Sequence, residues 1–319
     1  MLRRFVILLC ALVSQAALAQ GYPSKVVRII NPYAAGGPSE QVTRVLAAGL
    51  EEQLKQQVII ESKPGGGTVI GADYVAKSPP DGHTLLLATA AALIVQPLIM
   101  DKLPYDAQRD LVPVGLFATV PNLVAVHPSV PVRSIRELIE LARREPGKLN
   151  YASAGVGTGP HLAGELFKRM AQVDLVHVPF KGAAPAVPEV VAGRVQVSFL
   201  NLSPQLAHVR AGKLRALAIA SAGRSGLLPE VPTVAESGLP DFIVESWNGI
   251  AVPAGTPPAV VETLSRAIVK AMSRPEARAR LQTMGAESTP MGHREFAAYI
   301  RADAARLTPV IKTLDLKTN

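Results

Sequence analysis

Short apolar runs alternate with amphipathic stretches in the first 120 residues. The apolar runs have the length and the Val, Ile and Leu content of buried strands. In the first amphipathic stretch, Val42, Leu46 and Leu50 fall on one helical face. Strands that alternate with helices predict an α/β fold with a largely parallel sheet flanked by helices. The predicted strands are residues 26–30, 58–61 and 84–88, and the predicted helices are residues 43–54 and 71–76.

The same alternation starts again after an apolar run at residues 123–126, which predicts a second lobe. A Pro- and Gly-rich stretch at residues 227–240 predicts a long surface connection, after which the C-terminal helices pack back on the first lobe. We therefore expect lobe I to comprise residues 20–123 and 250–319, and lobe II residues 124–249, each with a mixed, mostly parallel sheet. The further predicted strands are residues 149–152, 195–200, 214–220 and a segment near Val176, and the further predicted helices are residues 135–144, 161–171, 258–273 and 294–307.

The N-terminus has the three parts of a secretory signal peptide. Arg3 and Arg4 precede an apolar run at residues 5–13, and small residues surround Ala19. We expect residues 1–19 to be removed by cleavage after Ala19 and the mature chain to be exported. Because the one cysteine, Cys10, lies in this peptide, no disulfide, thiolate metal site or cysteine nucleophile is expected in the mature chain.

The charge balance is basic, with a formal net charge of +8 at pH 7. Such a bias favours anionic ligands, nucleic acid or an acidic membrane surface, or is simply that of a basic soluble protein. Nucleic acid is disfavoured because the basic residues are scattered and aromatic residues make up 4% of the chain. Carbohydrate is disfavoured because Trp247 is the only tryptophan on which a sugar could stack.

A glycine turn joins a predicted strand to a predicted helix at residues 31–40. Gly36 and Gly37 let the backbone turn tightly and approach a ligand, and Ser39 is placed to cap the helix. The free N–H groups of a helix N-terminus favour negative charge. The alternative is an ordinary strand-to-helix turn.

A second segment of this kind lies at residues 151–161 in the predicted second lobe. Ser153 and Thr158 offer hydroxyl groups, and His161 is either a donor to a ligand or a buried histidine that is hydrogen-bonded within the fold. If both loops face one cleft, each can hold one end of a small organic anion through amides and hydroxyls.

Other site chemistries find less support. Gly155, Gly157 and Gly159 lack the spacing of a dinucleotide fingerprint, and the glycine-rich segment at residues 63–68 is mainly a turn that could also cradle phosphate. Tyr151 stands where a nucleophile elbow requires glycine. His161 and Glu165 share a helical face but lack a third metal ligand nearby, so a surface pair is favoured. We predict no catalytic residue, no metal and no cofactor.

Taken together, these segments resemble the Bug family, the TctC-like substrate-binding receptors of tripartite tricarboxylate transporters. Each motif is weak alone, but their order and spacing over nearly all of the mature chain are specific. This sequence departs from the family pattern at Ser39, Gln96 and Phe180, where threonine, asparagine and tyrosine are frequent. The matching segments are residues 31–40, 64–71, 80–85, 103–106, 146–149, 153–166, 177–182, 211–216, 231–233 and 253–257.

The resemblance implies a type II periplasmic-binding-protein fold, in which two lobes close on a dicarboxylate, an acidic amino acid or an aromatic acid. It implies a periplasmic, non-catalytic receptor, expected to be monomeric, that serves either the permease subunits of a tripartite transporter or signalling. An exported enzyme acting on a carboxylate in the same cleft is the alternative, and a structural protein with a filled cleft is a third. The implied ligand-binding residues are Tyr33, Ala35, Gly36, Gly37, Ser39 and Thr89 from one lobe and Ser153, Gly157, Thr158 and His161 from the other, with Lys181 and Asn201 as weaker candidates.

Overall fold

The computed structural model describes residues 21–313, which form two mixed β-sheets covered by helices. The predicted signal peptide lies outside the described residues. The strands are β1 (Val27–Asn31), β2 (Val58–Ser62), β3 (Thr84–Ala88), β4 (Leu111–Pro121), β5 (Leu123–Val126), β6 (Asn150–Ser153), β7 (Val176–Pro179), β8 (Val197–Ser198), β9 (Arg215–Ile219), β10 (Glu245–Pro253) and β11 (Glu287–Met291). The helices are α1 (Pro38–Leu54), α2 (Val69–Ala76), α3 (Gln96–Ile99), α4 (Ile135–Arg144), α5 (Gly159–Ala171), α6 (Ala183–Val191), α7 (Leu202–Arg210), α8 (Pro258–Met272), α9 (Pro275–Thr283) and α10 (His293–Thr313).

The two sheets have different strand orders, and each contains both parallel and antiparallel pairs. The first has the order β11-β4-β10-β3-β1-β2, and the second has the order β7-β6-β8-β5-β9. The predicted α/β fold with two mixed sheets is confirmed. Most strands of each sheet run in one direction, and the reversed strands are β10 and β11 in the first sheet and β5 in the second. Parallel pairing is found between β1 and its neighbours β2 and β3, and between β6 and its neighbours β7 and β8.

The chain crosses between the sheets twice. It first passes from β4 to β5 through Asn122, and it returns from β9 to β10 through a long connection at residues 220–244. Asn122 is fully buried, and its side-chain Nδ2 donates to the Val244 carbonyl at 3.0 Å, so the two crossings are joined by a hydrogen bond. β10 pairs within the first sheet from Glu245 onward. The division into lobes at residues 123 and 249 stays a prediction.

Helix α1 lies on one face of the first sheet, as its apolar stripe predicts. Val42, Leu46 and Leu50 are fully buried in one cluster with Ile29 of β1 and Leu264 of α8. Truncating such a leucine to alanine removes apolar contacts and leaves a cavity, at a cost of about 2–5 kcal/mol. This packing fixes where α1 begins, and therefore where its N-terminus meets the end of β1.

The C-terminal helix α10 packs on the same sheet from the other side, as expected from the sequence. Trp247 of β10 donates its indole N–H to Asp303 Oδ2 at 2.8 Å, and its ring meets Phe296 and Tyr299 edge to face. The hydrogen bond satisfies a buried donor that would otherwise cost stability. Within residues 21–313, no helix has the length and apolar composition required to cross a bilayer.

Candidate functional site

A narrow pocket lies between the two sheets, where loops from both meet. Its cavity volume is about 30 Å³, and the cavity is open to solvent. The pocket is therefore a slit that suits a thin molecule. Its lining is Tyr33, Gly37, Pro38, Ser39, Thr89, Ala90, Ala91, Ala154, Thr158, Gly159, Pro160, Ala183, Asn201, Glu245, Ser246 and Trp247.

The first wall is the loop between β1 and α1. The Asn31 side chain anchors this loop, because its Oδ1 accepts from the Tyr33 N–H at 3.2 Å and its Nδ2 donates to Ser62 Oγ at 3.0 Å. Gly36 has a φ of +81°, which glycine adopts without strain. Helix α1 then begins at Pro38. The anchored turn holds the helix N-terminus at the pocket.

The cap of α1 differs from the prediction for Ser39. Gly37 occupies the N-cap position, and Ser39 is the second residue of the helix, so its hydroxyl does not cap it. The reason is Pro38, whose fixed φ and missing N–H suit the first helical position. The N–H groups of Gly37 and Ser39 have no acceptor within the described chain. These amides are therefore free to meet an anion.

A buried carboxylate lies beside the same helix N-terminus. Glu40 Oε2 accepts from the Gly36 N–H at 2.8 Å, and the carboxylate pairs with Arg44 one turn later. Glu40 is buried, whereas Ala35 and Gly36 are exposed on the outer side of the loop. The Gly36 amide is thus already occupied by the fold. A ligand contact by Ala35 or Gly36 stays a prediction.

Tyr33 and Thr89 place a pair of hydroxyl groups in the first wall. The two oxygens are 3.1 Å apart, and Thr89 follows the end of β3. Burial raises the pKa of Tyr33 to about 12, so its hydroxyl keeps its proton at neutral pH. Tyr33 is therefore available as a neutral donor to an anionic oxygen.

The second wall is the loop between β6 and α5. Thr158 is the N-cap residue of α5, and its hydroxyl donates to the Gly155 carbonyl at 2.7 Å. The hydroxyl oxygen keeps lone pairs, and α5 begins at Gly159 and Pro160, both of which line the pocket. Helices α1 and α5 therefore present their N-termini to one slit from the two sheets, which favours negative charge there.

Asn201 connects this wall to the crossings between the sheets. Its Nδ2 donates to Asn122 Oδ1 at 2.8 Å and to Ser246 Oγ at 3.0 Å. Asn201 and Ser246 also line the pocket. These hydrogen bonds join the pocket to both crossings, so a movement of one lobe relative to the other would change them.

Three residues predicted for the second wall lie behind it. Ser153 has 0% exposure and its Oγ is 2.6 Å from His177 Nε2, while His161 accepts the Gly157 N–H at its Nδ1 at 3.0 Å. The His161 and His177 rings stack with centroids 4.1 Å apart. Ser153, Gly157 and His161 thus support the loop from inside. Direct ligand contact by these three residues stays a prediction.

Both histidines are neutral at neutral pH. Burial, with a smaller contribution from the Lys168 charge, lowers the pKa of His161 to about 4. Burial also lowers the pKa of His177 to about 3, with a smaller effect from His161. A neutral His161 can keep Nδ1 unprotonated, as the hydrogen bond from Gly157 requires.

The predicted surface pair of His161 and Glu165 is not found. His161 is 4% exposed, and Glu165 Oε1 accepts from the Tyr151 hydroxyl at 2.7 Å and from Lys168 at 3.0 Å. The ring of His177 stacks on both His161 and Tyr151, which keeps His161 away from the surface. In the part of the chain that the structure describes, no three His, Cys, Asp or Glu side chains are grouped to hold a metal ion.

A second cavity adjoins the slit and shares Tyr33 and Ala154 with it. Its cavity volume is about 340 Å³. Lys181 lines this second cavity rather than the slit, and its backbone carbonyl accepts from the Ala34 N–H of the opposite loop at 3.0 Å. The other lining residues are Pro32, Gly65, Gly66, Gly67, Thr68, Gln96, Met100, Gly155, Val156, Pro179 and Phe180.

Six of the predicted residues thus meet at the slit, namely Tyr33, Gly37, Ser39, Thr89, Thr158 and Asn201. The sequence analysis missed several lining residues. Ala90 and Ala91 follow Thr89 at the end of β3, a position from which they could have been found. Ser246 carried no local signal, because it reaches the slit from the start of β10, directly after the second crossing.

Comparison with known proteins agrees with this architecture. Residues 42–316 match the family model described as tripartite tricarboxylate transporter family receptor. BugT of Bordetella pertussis is 38% identical over 255 residues, which cover 80% of this chain and 78% of BugT. An R. palustris protein solved with adipate is 34% identical, with a TM-score of 0.89 over 92% of this chain and 98% of that chain. MatC from Rhodopseudomonas palustris with bound malate is 31% identical, with a TM-score of 0.86 over 91% of this chain and 100% of that chain. The resemblance to Bug receptors is confirmed, and this chain belongs to the tripartite tricarboxylate transporter receptor family.

Proposed function

We propose that the protein is a periplasmic receptor that binds a small organic carboxylate in the slit between its two lobes and delivers it to the permease of a tripartite transporter. The observation that carries this proposal is the meeting of two helix N-termini at one slit. Free amides of Gly37 and Ser39 lie on one side, and the start of α5 at Gly159 lies on the other. Such amides and the helix dipoles attract an anionic group.

The lining also indicates which groups would stabilise the negative charge of a bound carboxylate. Among the described residues that line the slit, none is a lysine, an arginine or a histidine. A carboxylate would therefore accept hydrogen bonds from backbone N–H groups and from the hydroxyl of Tyr33, without an arginine partner. Cleavage after Ala19 removes Arg3 and Arg4, so the formal net charge at pH 7 falls from +8 to +6, and this basic balance supports attraction of anions over a longer range.

The shape of the slit and the bound relatives narrow the ligand class. A thin, extended acid suits the narrow space, and the two R. palustris relatives were solved with adipate and with malate. We propose an aliphatic dicarboxylate as the first class to test. Acidic amino acids and aromatic acids are the next two classes.

Export and oligomeric state form part of the same proposal. We propose that residues 1–19 are a signal peptide cleaved after Ala19 and that the mature receptor acts as a monomer in the periplasm. Osmotic-shock fractionation with N-terminal sequencing tests the first point, and sedimentation velocity tests the second. A full-length protein retained in the cytosol would contradict the proposed export.

We propose that the receptor returns its ligand unchanged. Ser153 and His177 form a hydrogen bond of the kind that activates serine in hydrolases. Ser153 is fully buried, however, and a histidine with a pKa of about 3 is a weak base at neutral pH. Mass spectrometry of the acid after prolonged incubation with the receptor tests this point, and a new product would favour the alternative of an exported enzyme.

Isothermal titration calorimetry with adipate, malate, glutamate and nicotinate is the direct test of binding. Thr158→Val removes the hydroxyl that holds the Gly155 carbonyl at the start of α5 while keeping the shape of the side chain, and we expect it to weaken binding of the preferred acid about tenfold. Thr256→Val is the matched control, because Thr256 also donates to a carbonyl three residues earlier at 2.7 Å but lies outside the slit. Absence of heat and of thermal stabilisation with every acid would refute the proposal.

A further inference from the structure

The Gln96 side chain connects the two lobes. It is 2% exposed, and its Nε2 donates to the Gly67 carbonyl at 3.1 Å and to the Val156 carbonyl at 2.8 Å. Gln96 and Gly67 follow strands of the first sheet, whereas Val156 follows β6 of the second sheet. The Gln96 amide therefore donates one hydrogen bond within its own lobe, to Gly67, and one across the interface, to Val156.

The orientation of this amide follows from its partners. Both acceptors are backbone carbonyls, which carry no hydrogen, so only the nitrogen of the glutamine amide can face them. The bond to Gly67 holds the amide in place whether or not the other lobe is close. The second hydrogen then points to the position that Val156 reaches when the lobes meet.

Glycines make this close contact possible. A Cβ atom at Gly67 would lie 2.2 Å from the Val156 carbonyl oxygen, and one at Gly157 would lie 2.7 Å from Gln96 Nε2. Distances under about 3 Å are not tolerated between such atoms without movement. Both loops therefore need glycine so that the backbones can approach each other around the glutamine.

We propose that Gln96 is a positioning residue for ligand binding, whose hydrogen bond to Val156 forms on lobe closure and sets how long the closed receptor keeps its ligand. Val156 lies two residues before Thr158, which lines the slit, and α3 follows the turn that contains Ala91, which also lines it. The bond therefore holds slit residues of both lobes in register. Its effect on affinity rests on the receptor function proposed above.

The expected effect is on the dissociation rate. A ligand leaves after the lobes open, so removal of one inter-lobe hydrogen bond from the closed form should speed release without slowing capture. For Gln96→Ala we expect the off-rate for adipate, or for whichever acid of the calorimetric panel binds, to rise about fivefold. Gln96→Glu lacks both donors and faces two carbonyls with a negative charge, so we expect a larger increase.

Two controls separate closure from general loss of stability. Gln196 is a second glutamine with two hydrogen bonds, to the Gly193 carbonyl at 3.2 Å and from the Asn150 N–H at 3.1 Å, but both partners lie in the second lobe. Gly67→Ala and Gly212→Ala form another pair. Both glycines have a positive φ, of +63° and +69°, yet a Cβ at Gly212 has no atom within 4 Å.

The experiment combines stopped-flow ligand release with small-angle X-ray scattering of the free proteins. We expect the free wild type to populate a closed form that this hydrogen bond stabilises. Gln96→Ala and Gly67→Ala should therefore shift to the open form and have a larger radius of gyration than wild type, and Gln196→Ala and Gly212→Ala should match it. The scattering comparison needs no ligand, so it decides the inference even if no acid binds and the proposed function fails. Equal radii, accompanied by equal off-rates wherever an acid binds, would overturn the role of Gln96 and leave it a purely structural residue.

Discussion

The stacked pair of His161 and His177 makes the free energy of unfolding depend on pH. The pKa of His161 falls from its ordinary 6.5 to about 4 because the ring is buried, so the unfolded chain binds a proton that the folded chain does not. The stabilising contribution of the neutral ring is fully present above pH 6.5. It is lost progressively as the pH falls towards 4.

The size of the effect follows from the shift. Between pH 7 and pH 5 the unfolded ring becomes almost fully protonated, while the folded ring remains mostly neutral. Linkage then gives a loss of about 2 kcal/mol in the free energy of unfolding from His161 alone. The charges that face the two rings are those of Lys168 and Glu165, which pair at 3.0 Å. Protonation would also remove the Nδ1 acceptor that holds the Gly157 N–H.

Urea unfolding at pH 7, 6 and 5 tests this reasoning with His161→Asn. An asparagine oxygen can take the place of Nδ1 as acceptor but does not titrate. We expect the variant to be less stable than wild type at pH 7, because it loses the stack on His177, and to lose less stability on acidification. The gap between the two proteins should shrink by about 2 kcal/mol by pH 5. His208→Asn, in α7 outside this cluster, is the control, and a gap that stays constant for His161→Asn would refute the argument.

Three further predictions concern the slit and the core. Tyr33→Phe removes the hydroxyl that lies 3.1 Å from Thr89, and we expect about a fivefold weaker binding of the preferred acid in calorimetry with little change in melting temperature. Leu46→Ala should lower the free energy of unfolding by about 2–5 kcal/mol in urea titration and leave ligand preference unchanged, because Leu46 lies in the core under α1. Phe180→Tyr adds a hydroxyl to the cavity beside the slit, and we expect a shift in preference towards hydroxylated acids such as malate; an unchanged ranking in the calorimetric panel would show that this cavity does not contact the ligand.

Elements with a clear period were predicted well from the sequence. β3, β5 and α4 have the predicted bounds, and α1 extends the predicted helix by one turn at its N-terminus because Pro38 can begin a helix. The physical reason is that their hydrophobic pattern is local: β3 and β5 are short continuous apolar runs, and α4 buries one apolar face.

The sequence analysis missed strand β4, which leads into the first crossing, although it is the longest strand of the first sheet. It contains Pro113 and Gly115 and ends at Pro121, residues that locally disfavour a strand interior. The irregular pairing with β10, which includes register shifts, accommodates them. The antiparallel crossings likewise depend on contacts between residues more than 100 positions apart, such as Asn122 and Val244, which no local pattern reveals.

The residue types in the sequence predicted the chemistry of the site, but they did not predict which atoms each residue contacts. Thr158 and His161 stand three positions apart at the start of α5, yet Thr158 lines the slit and His161 is buried against His177. The direction of each side chain depends on how α5 packs on β6 and β7. The sequence therefore predicted an amide- and hydroxyl-rich pocket but could not distinguish its lining from its support.

The glycines require the most careful interpretation in future mutagenesis. Gly67 and Gly157 have positive φ values, and atoms of the opposite lobe fill the space where a Cβ atom would lie. A side chain at either position would therefore block closure before it touched a ligand. Loss of binding in such a variant would not identify a ligand contact. Tyr33→Phe leaves the backbone and the inter-lobe contact in place, so its effect on affinity reports on the ligand itself. A ligand map of this receptor should therefore be built from hydroxyl deletions, with glycine substitutions used as reporters of closure.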